Sequence, residues 1–269
     1  MQIYQVDAFA GRIFQGNPAA VVPLNEWLPD DLLQSIAMEN NLSETAFFVP
    51  TDKGFSIRWF TPTVEVDLCG HATLASGHVL FEHLGFPGEA ILFQTRRAGD
   101  LQVLRAGARG RYTLNFPETP PEAVEPGSGD LVFEGLHLSP SPLLKGPYDF
   151  LVVLDSRSEL EALRPDFKKL SSAPGRGIIV TAPGQEEGID FVSRGFFPQS
   201  GIDEDPVTGS AHSVLVPYWA TRLGKNRLSA IQLSARRGYL DCLLDRGRVY
   251  MTGSAHTFMK GELLLGNGR

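Results

Sequence analysis

Residues 55–59, FSIRW, alternate apolar Phe55, Ile57 and Trp59 with polar neighbours, the period-two pattern of a strand with one buried face. From Gly70 the period changes. GHATLASGHVLFEHLG, 70–85, has helical spacing and closes on Gly85, a residue able to take the left-handed conformation at which helices stop. Upstream, Val6 to Phe9, Ala19 to Val22 and AFFVP at 46–50 read as strands. Pro29, Asp30 and Asp31 open a helix whose apolar face is Leu32, Leu33, Ile36 and Ala37. Further on, YDFLVVLD at 148–155 predicts another strand, and Ala211, Val214, Leu215, Tyr218 and Trp219 follow the i, i+3, i+4, i+7, i+8 spacing of a helix that Gly224 ends.

These patterns occur twice. SIRWFTP, 56–62, superimposes on VSRGFFP, 192–198, matching Arg58 with Arg194, Phe60 with Phe196 and Pro62 with Pro198. GHATLASGHVLFEHLG likewise matches GSAHSVLVPYWATRLG, 209–224, but the second copy carries three more residues before its helix, expected within the stretch DEDPVTGSAH, 203–212. QTRRAG with SARRGY, and RGRYTL with RGRVYM, continue the match in the same order. Order and residue type agreeing at four places is the signature of a duplicated folding unit. The Pro-, Gly- and Ser-rich stretch NFPETPPEAVEPGSGD, 115–130, suits a connection. The expectation is an α+β protein of two domains, 1–118 and 119–269, related by a pseudo-two-fold axis. Each would be a mostly antiparallel sheet wrapped around a central helix, with the last strand able to pack back on the first domain.

Composition narrows the function. A formal charge of −7, with no cluster of Lys and Arg, argues against a nucleic-acid partner. No stretch approaches the roughly 20 apolar residues of a membrane span, and MQIYQVDAFAG lacks the layout of a signal peptide, so no membrane partner and a cytoplasmic location are expected. Two cysteines, Cys69 and Cys242, are too few for a disulfide framework. Among the histidines His78 and His83 come nearest to a ligand pair, but a spacing of five does not share one helical face, and no metal is expected.

Chemistry is expected where the two helices begin. A helix N-terminus presents unpaired N–H groups and about half an elementary charge, so two of them facing a shared cleft would receive a carboxylate. Gly70 and Gly209 open the helices and would admit a substrate to the backbone. The first side chains that follow are His71, expected neutral, and Ser210. The equal alternative is that both residues only cap or bond the turn. In the other register Cys69 lies opposite Asp205, so a thiol faces a carboxylate where a two-thiol racemase would need two thiols. Asp203 and Glu204 are expected to face solvent. Glu44, in ENNLSETAFF, is an acid without a counterpart in SSAPGRG, 171–177, as a single acid/base would be.

The set GNPAAVV at 16–22, NLSETAFF at 41–48, LCGHAT at 68–73 and DEDPVTGSAH, in this order, resembles the PhzF-like phenazine biosynthesis family over essentially the whole chain. The resemblance implies a diaminopimelate epimerase-like fold and a cofactor-independent isomerase, the type reaction being isomerisation of a dihydro-hydroxyanthranilate. Glu44 would move a proton between carbons of a small carboxylated metabolite, and His71, Asp205 and Ser210 would complete the site. A homodimer is a further implication. Two other functions stay open: an amino- or hydroxy-acid epimerase or racemase using Glu44 or Cys69, and a metabolite-binding protein without turnover.

Overall fold

The computed structural model describes residues 1–125 and 127–265. The chain divides into two compact units, Met1–Asn115 with Thr252–Arg269, and Phe116–Met251. The boundaries fall inside two strands, so the chain passes from one unit to the other in extended conformation.

The first unit begins with β1 (Gln2–Ala8), β2 (Asn17–Pro23), α1 (Asp30–Asn40), β3 (Glu44–Thr51), β4 (Gly54–Phe60) and β5 (Glu65–Val66). It continues with α2 (Gly70–Glu82), β6 (Ala90–Gln94), β7 (Asp100–Arg105) and β8 (Arg111–Pro117). β2 and β3 pair in parallel, β3 and β4 antiparallel, β4 and β6 parallel, and β6, β7 and β8 antiparallel. After the second unit the chain returns in β17 (Arg248–Glu262), whose later part lies against both β8 and β1. β1 pairs with β2, so the strands form a closed ring. Inside it sits α2, every residue of which from Gly70 to Phe81 is buried. The helix stops as the pattern implies: Phe86 N–H returns to the Leu80 carbonyl at 3.0 Å around Gly85, whose φ is 67°.

The second unit holds β9 (Glu122–Ala123), α3 (Asp130–Leu136), β10 (Leu144–Lys145), β11 (Asp149–Val153), α4 (Arg157–Ala162), α5 (Phe167–Leu170), β12 (Gly177–Glu186) and β13 (Ile189–Phe197). A 3-10 turn at Pro198–Ser200, β14 (Ile202–Asp205), α6 (Gly209–Leu223), β15 (Arg227–Gln232) and β16 (Gly238–Asp245) follow, then the start of β17. Arg246 and Gly247, with φ of 48° and 77°, make the two-residue turn between β16 and β17. The pairings repeat those of the first unit. β11 and β12 are parallel, β12 and β13 antiparallel, β13 and β15 parallel, and β15 and β16 antiparallel. α6 is buried over most of its length, and Trp219 Nε1 donates to Thr181 Oγ1 at 3.0 Å.

Two expectations change in this light. The three extra residues lie in the 3-10 turn and at Gly201, ahead of Asp203, because β14 pairs with β13 as β5 pairs with β4. That pairing sets Gly195 opposite Asp205 where Trp59 lies opposite Val66. Asp205 therefore corresponds to Val66, and Cys69 corresponds to Thr208, each being the residue that caps its helix. Of the two acids expected to face solvent, Asp203 is exposed but Glu204 is half-buried: Arg194 grips both its oxygens at 2.7 and 2.9 Å, as Arg58 grips Glu65 at 2.7 Å twice. Each arginine also lies 4.9 Å from the ring two residues on, Phe60 or Phe196. Among the described residues no helix is long and apolar enough to cross a membrane.

Candidate active site

In the first unit, Glu44 is the first residue of β3, its position set by the parallel pairing with Ala19. The αL residue Asn41 ends α1 and turns the chain into this strand, so the acid expected in a loop is mostly enclosed, its side chain 14% exposed. Glu44 Oε2 lies 3.3 Å from His71 Nε2. On the other side of the ring, Asn17 Nδ2 approaches His71 Nδ1 at 3.2 Å, and Cys69 Sγ lies 3.5 Å from the same nitrogen. An amide nitrogen only donates, so Nδ1 accepts and the neutral ring carries its proton on Nε2, toward Glu44. The ring stays neutral because burial pushes its pKa down to about 3. Glu44, Cys69 and His71 place one donor atom each within 4.8 Å of one another, near enough to hold a metal ion, although Glu44 and Cys69 lie at opposite nitrogens of the ring.

The second unit builds a different cluster on the same frame. Thr208 donates its hydroxyl to Asp205 Oδ2 at 2.5 Å, while its N–H reaches Gln232 Oε1 at 2.9 Å. Gln232 Nε2 returns to the Asp205 carbonyl at 2.8 Å. Ser210, the first side chain after Gly209, receives Arg176 Nη2 at 3.0 Å, and Arg176 is itself clamped by both oxygens of buried Asp149. The support beneath each helix start is shared: Thr73 Oγ1 donates to the Cys69 carbonyl at 2.6 Å, and His212 Nδ1 to the Thr208 carbonyl at 2.8 Å.

Of the sequence candidates, Glu44 and His71 meet directly, as do Asp205 and the capping Thr208, and Ser210 stands beside a cation. Gly70 and Gly209 are the first helical residues, both buried. Asn17, Asp149, Arg176, Thr208 and Gln232 were not among the candidates. Asn17 stood in the quoted GNPAAVV, and Arg176 in the very loop searched only for a carboxylate. His78 and His83 also come together, against expectation, since α2 ends at Glu82 and His83 leaves the helical path. Both Nε2 atoms bond Thr257 Oγ1, at 2.8 and 2.7 Å.

Comparison with known proteins places the chain in a family. The family profile of phenazine biosynthesis-like proteins, PhzC-PhzF, matches residues 6–261. An uncharacterised isomerase of Pseudomonas aeruginosa is 51% identical over 265 residues, covering 98% of this chain and 99% of that protein. The crystal structure of a PhzF-family phenazine biosynthesis protein from Enterococcus faecalis superimposes with a TM-score of 0.91 at 44% identity, over 98% of this chain and 99% of the other. A predicted epimerase of Pseudomonas aeruginosa shares the fold, with a TM-score of 0.77 at 20% identity over 98% and 99% of the two chains.

Proposed function

The chain belongs to the phenazine biosynthesis-like family, and on that footing we propose that it is an isomerase that moves a proton between carbons of a small carboxylated metabolite, with Glu44 as its single acid/base and without a cofactor. The observation that carries this reading is the contact of Glu44 with His71 at 3.3 Å in a nearly enclosed setting. A base that removes a proton from carbon and returns it elsewhere must be held still and shielded from bulk water. His71 stands beside one carboxylate oxygen of Glu44, and being neutral it brings no positive charge to the base. Asp205 and Ser210 are assigned to substrate binding. The hydroxyl of Ser210 and the first amides of α6 supply hydrogen-bond donors for the negative charge that spreads over the substrate when the proton leaves.

A two-thiol epimerase finds little support. Cys69 has no thiol at its counterpart, and Cys242 is buried on β16, where burial and the Asp241 charge push its pKa up and keep it protonated. The test is deuterium incorporation from heavy water into a panel of small carboxylated metabolites that includes a dihydro-hydroxyanthranilate, followed by NMR. Exchange by the native chain that Glu44→Gln abolishes, with ligand-induced thermal shift retained, is the expected result. Exchange that survives in Glu44→Gln removes Glu44 from the mechanism.

A further inference from the structure

Arg176 lies in the loop entering β12, one residue before Gly177, whose parallel partner is Asp149. In the first unit the corresponding loop delivers Glu44, whose parallel partner is Ala19. The two units thus place opposite charges at nearly the same point of their frames. Arg176 is held on several sides. Nε donates to Asp149 Oδ1 at 2.9 Å, Nη2 bonds Asp149 Oδ2, and the Tyr148 and Phe197 rings each lie 5.5 Å from the guanidinium carbon. Asp149 is 3% exposed, so the clamp itself is fixed in the core.

This arrangement leaves one edge of the guanidinium. Nη1 makes no hydrogen bond or ion pair among the described residues, and the side chain keeps 36% of its surface open. A guanidinium cannot accept a hydrogen bond, so at the 3.0 Å contact Ser210 Oγ is the acceptor and its own proton is directed elsewhere. The groups offered at this edge are mostly donors: the two N–H of Nη1, the Ser210 hydroxyl, and the first amides of α6, a 15-residue helix, with the Asp205 carboxylate near enough for its charge to act on Arg176. Donors that outnumber acceptors, one of them on a rigid cation, suit a carboxylate, whose negative charge the guanidinium pairs with and a neutral amide of the same shape lacks. The charges of Asp149 and Asp205 raise the basicity of Arg176 in spite of its burial, so it remains a cation at any pH at which the fold persists.

We propose that Arg176 is a specificity-determining residue, its Nη1 edge receiving a carboxylate of the substrate beside Ser210. The proposal deepens the isomerase reading and rests on it. Benzoate and benzamide, which share shape and differ in charge, are the probes, titrated into the full chain and followed through the amide resonances of Gly209, Ser210 and Ala211. Saturable binding of benzoate is expected, with benzamide weaker by about 10-fold or more. Arg176→Gln should abolish that preference, and Arg176→Lys should keep part of it.

Equal binding of the two probes, no saturation by about 50 mM benzoate, or a preference unchanged in Arg176→Gln would overturn the proposal. Because Arg176→Gln also frees buried Asp149, the native chain's preference and the Arg176→Lys variant decide the matter if the glutamine variant does not fold. Glu44→Gln separates the two readings. It should bind benzoate as the native chain does while losing deuterium exchange; retained exchange with an intact Arg176 effect removes Glu44 from the mechanism and leaves the role of Arg176 standing, and no exchange by the native chain with an intact Arg176 effect refutes the isomerase reading alone.

Discussion

In the first unit the first side chain of the central helix is an imidazole facing a carboxylate; in the second it is a hydroxyl facing a guanidinium. Beneath these pairs the two frames agree closely. The side chain at the fourth helical position bonds the capping carbonyl in both, an arginine grips a glutamate of the following short strand in both, and the strand pairings recur in the same order. The difference teaches that the duplicated frame fixes where a side chain is presented, while the loop before β3 or β12 decides its chemistry. In the proposed reaction one copy holds the group that exchanges protons, and the other holds groups that bind the substrate.

The sharpest break in this symmetry is catalytic. Glu44→Gln should lower proton exchange by about 10²- to 10⁴-fold, the span typical of a lost general acid/base. Ser210→Ala should cost much less, because amides and Arg176 remain; equal losses at the two positions would mean that both copies carry proton transfer.

The arginine clamps test the shared frame instead. Arg58 is 2% exposed and holds Glu65 and Asp30, whereas Arg194 is 12% exposed and holds Glu204 with the Leu160 and Leu163 carbonyls. Arg58→Met should destabilise by about 3 kcal/mol, the low end for a broken buried pair because Glu65 keeps part of its surface in water. Arg194→Met should cost less. Urea denaturation measures both, and a larger loss at Arg194 contradicts the ranking by burial.

Acid should act on the two copies through different histidines. Burial pushes His78 in the first unit and His212 in the second down to about 4, below the ordinary 6.5. The unfolded chain then binds protons before the native one does, so their contribution is complete above pH 6.5 and is lost as pH falls toward 4. Each accounts for up to about 3 kcal/mol. His212→Gln should flatten the stability profile between those limits, as read by thermal midpoints across pH; an unchanged slope would place the acid sensitivity elsewhere.

The helix caps should differ least. Thr208→Ala severs bonds to Asp205 and Gln232 and should cost about 1–2 kcal/mol. Cys69→Ala removes the weak contact to His71, among the interactions of that thiol. It should leave exchange within about threefold, a change of under 1 kcal/mol, whereas loss of exchange in that variant would restore a thiol mechanism.

Much of this comparison was legible in the sequence, because periodicity and repeated residue types report local structure directly. FSIRW became β4, GHATLASGHVLFEHLG became α2 with its Gly85 stop, and the Arg58–Arg194 match held down to the carboxylates each arginine grips. The register around Asp205 was read wrongly, since counting from the shared prolines ignores a 3-10 turn that identity of residues does not mark. α3 went unread because DLVFEGL is too short for a period to show, although Val132, Phe133 and Leu136 enter the second core. Asn17 and Arg176 act across strands that meet only in three dimensions, and nothing in their neighbours' spacing announces the partners they find.

The ring of the first unit is closed by β17, which the chain reaches only after the whole second unit. A chain emerging from the ribosome thus carries β1 and β8 as open strand edges until the later part of β17 arrives, while the second unit already has nearly all its strands. Order of synthesis and order of completion are inverted, and the half bearing Glu44 and His71 becomes whole last. A fragment ending at Pro117 would keep both edges bare and be prone to pairing with other chains.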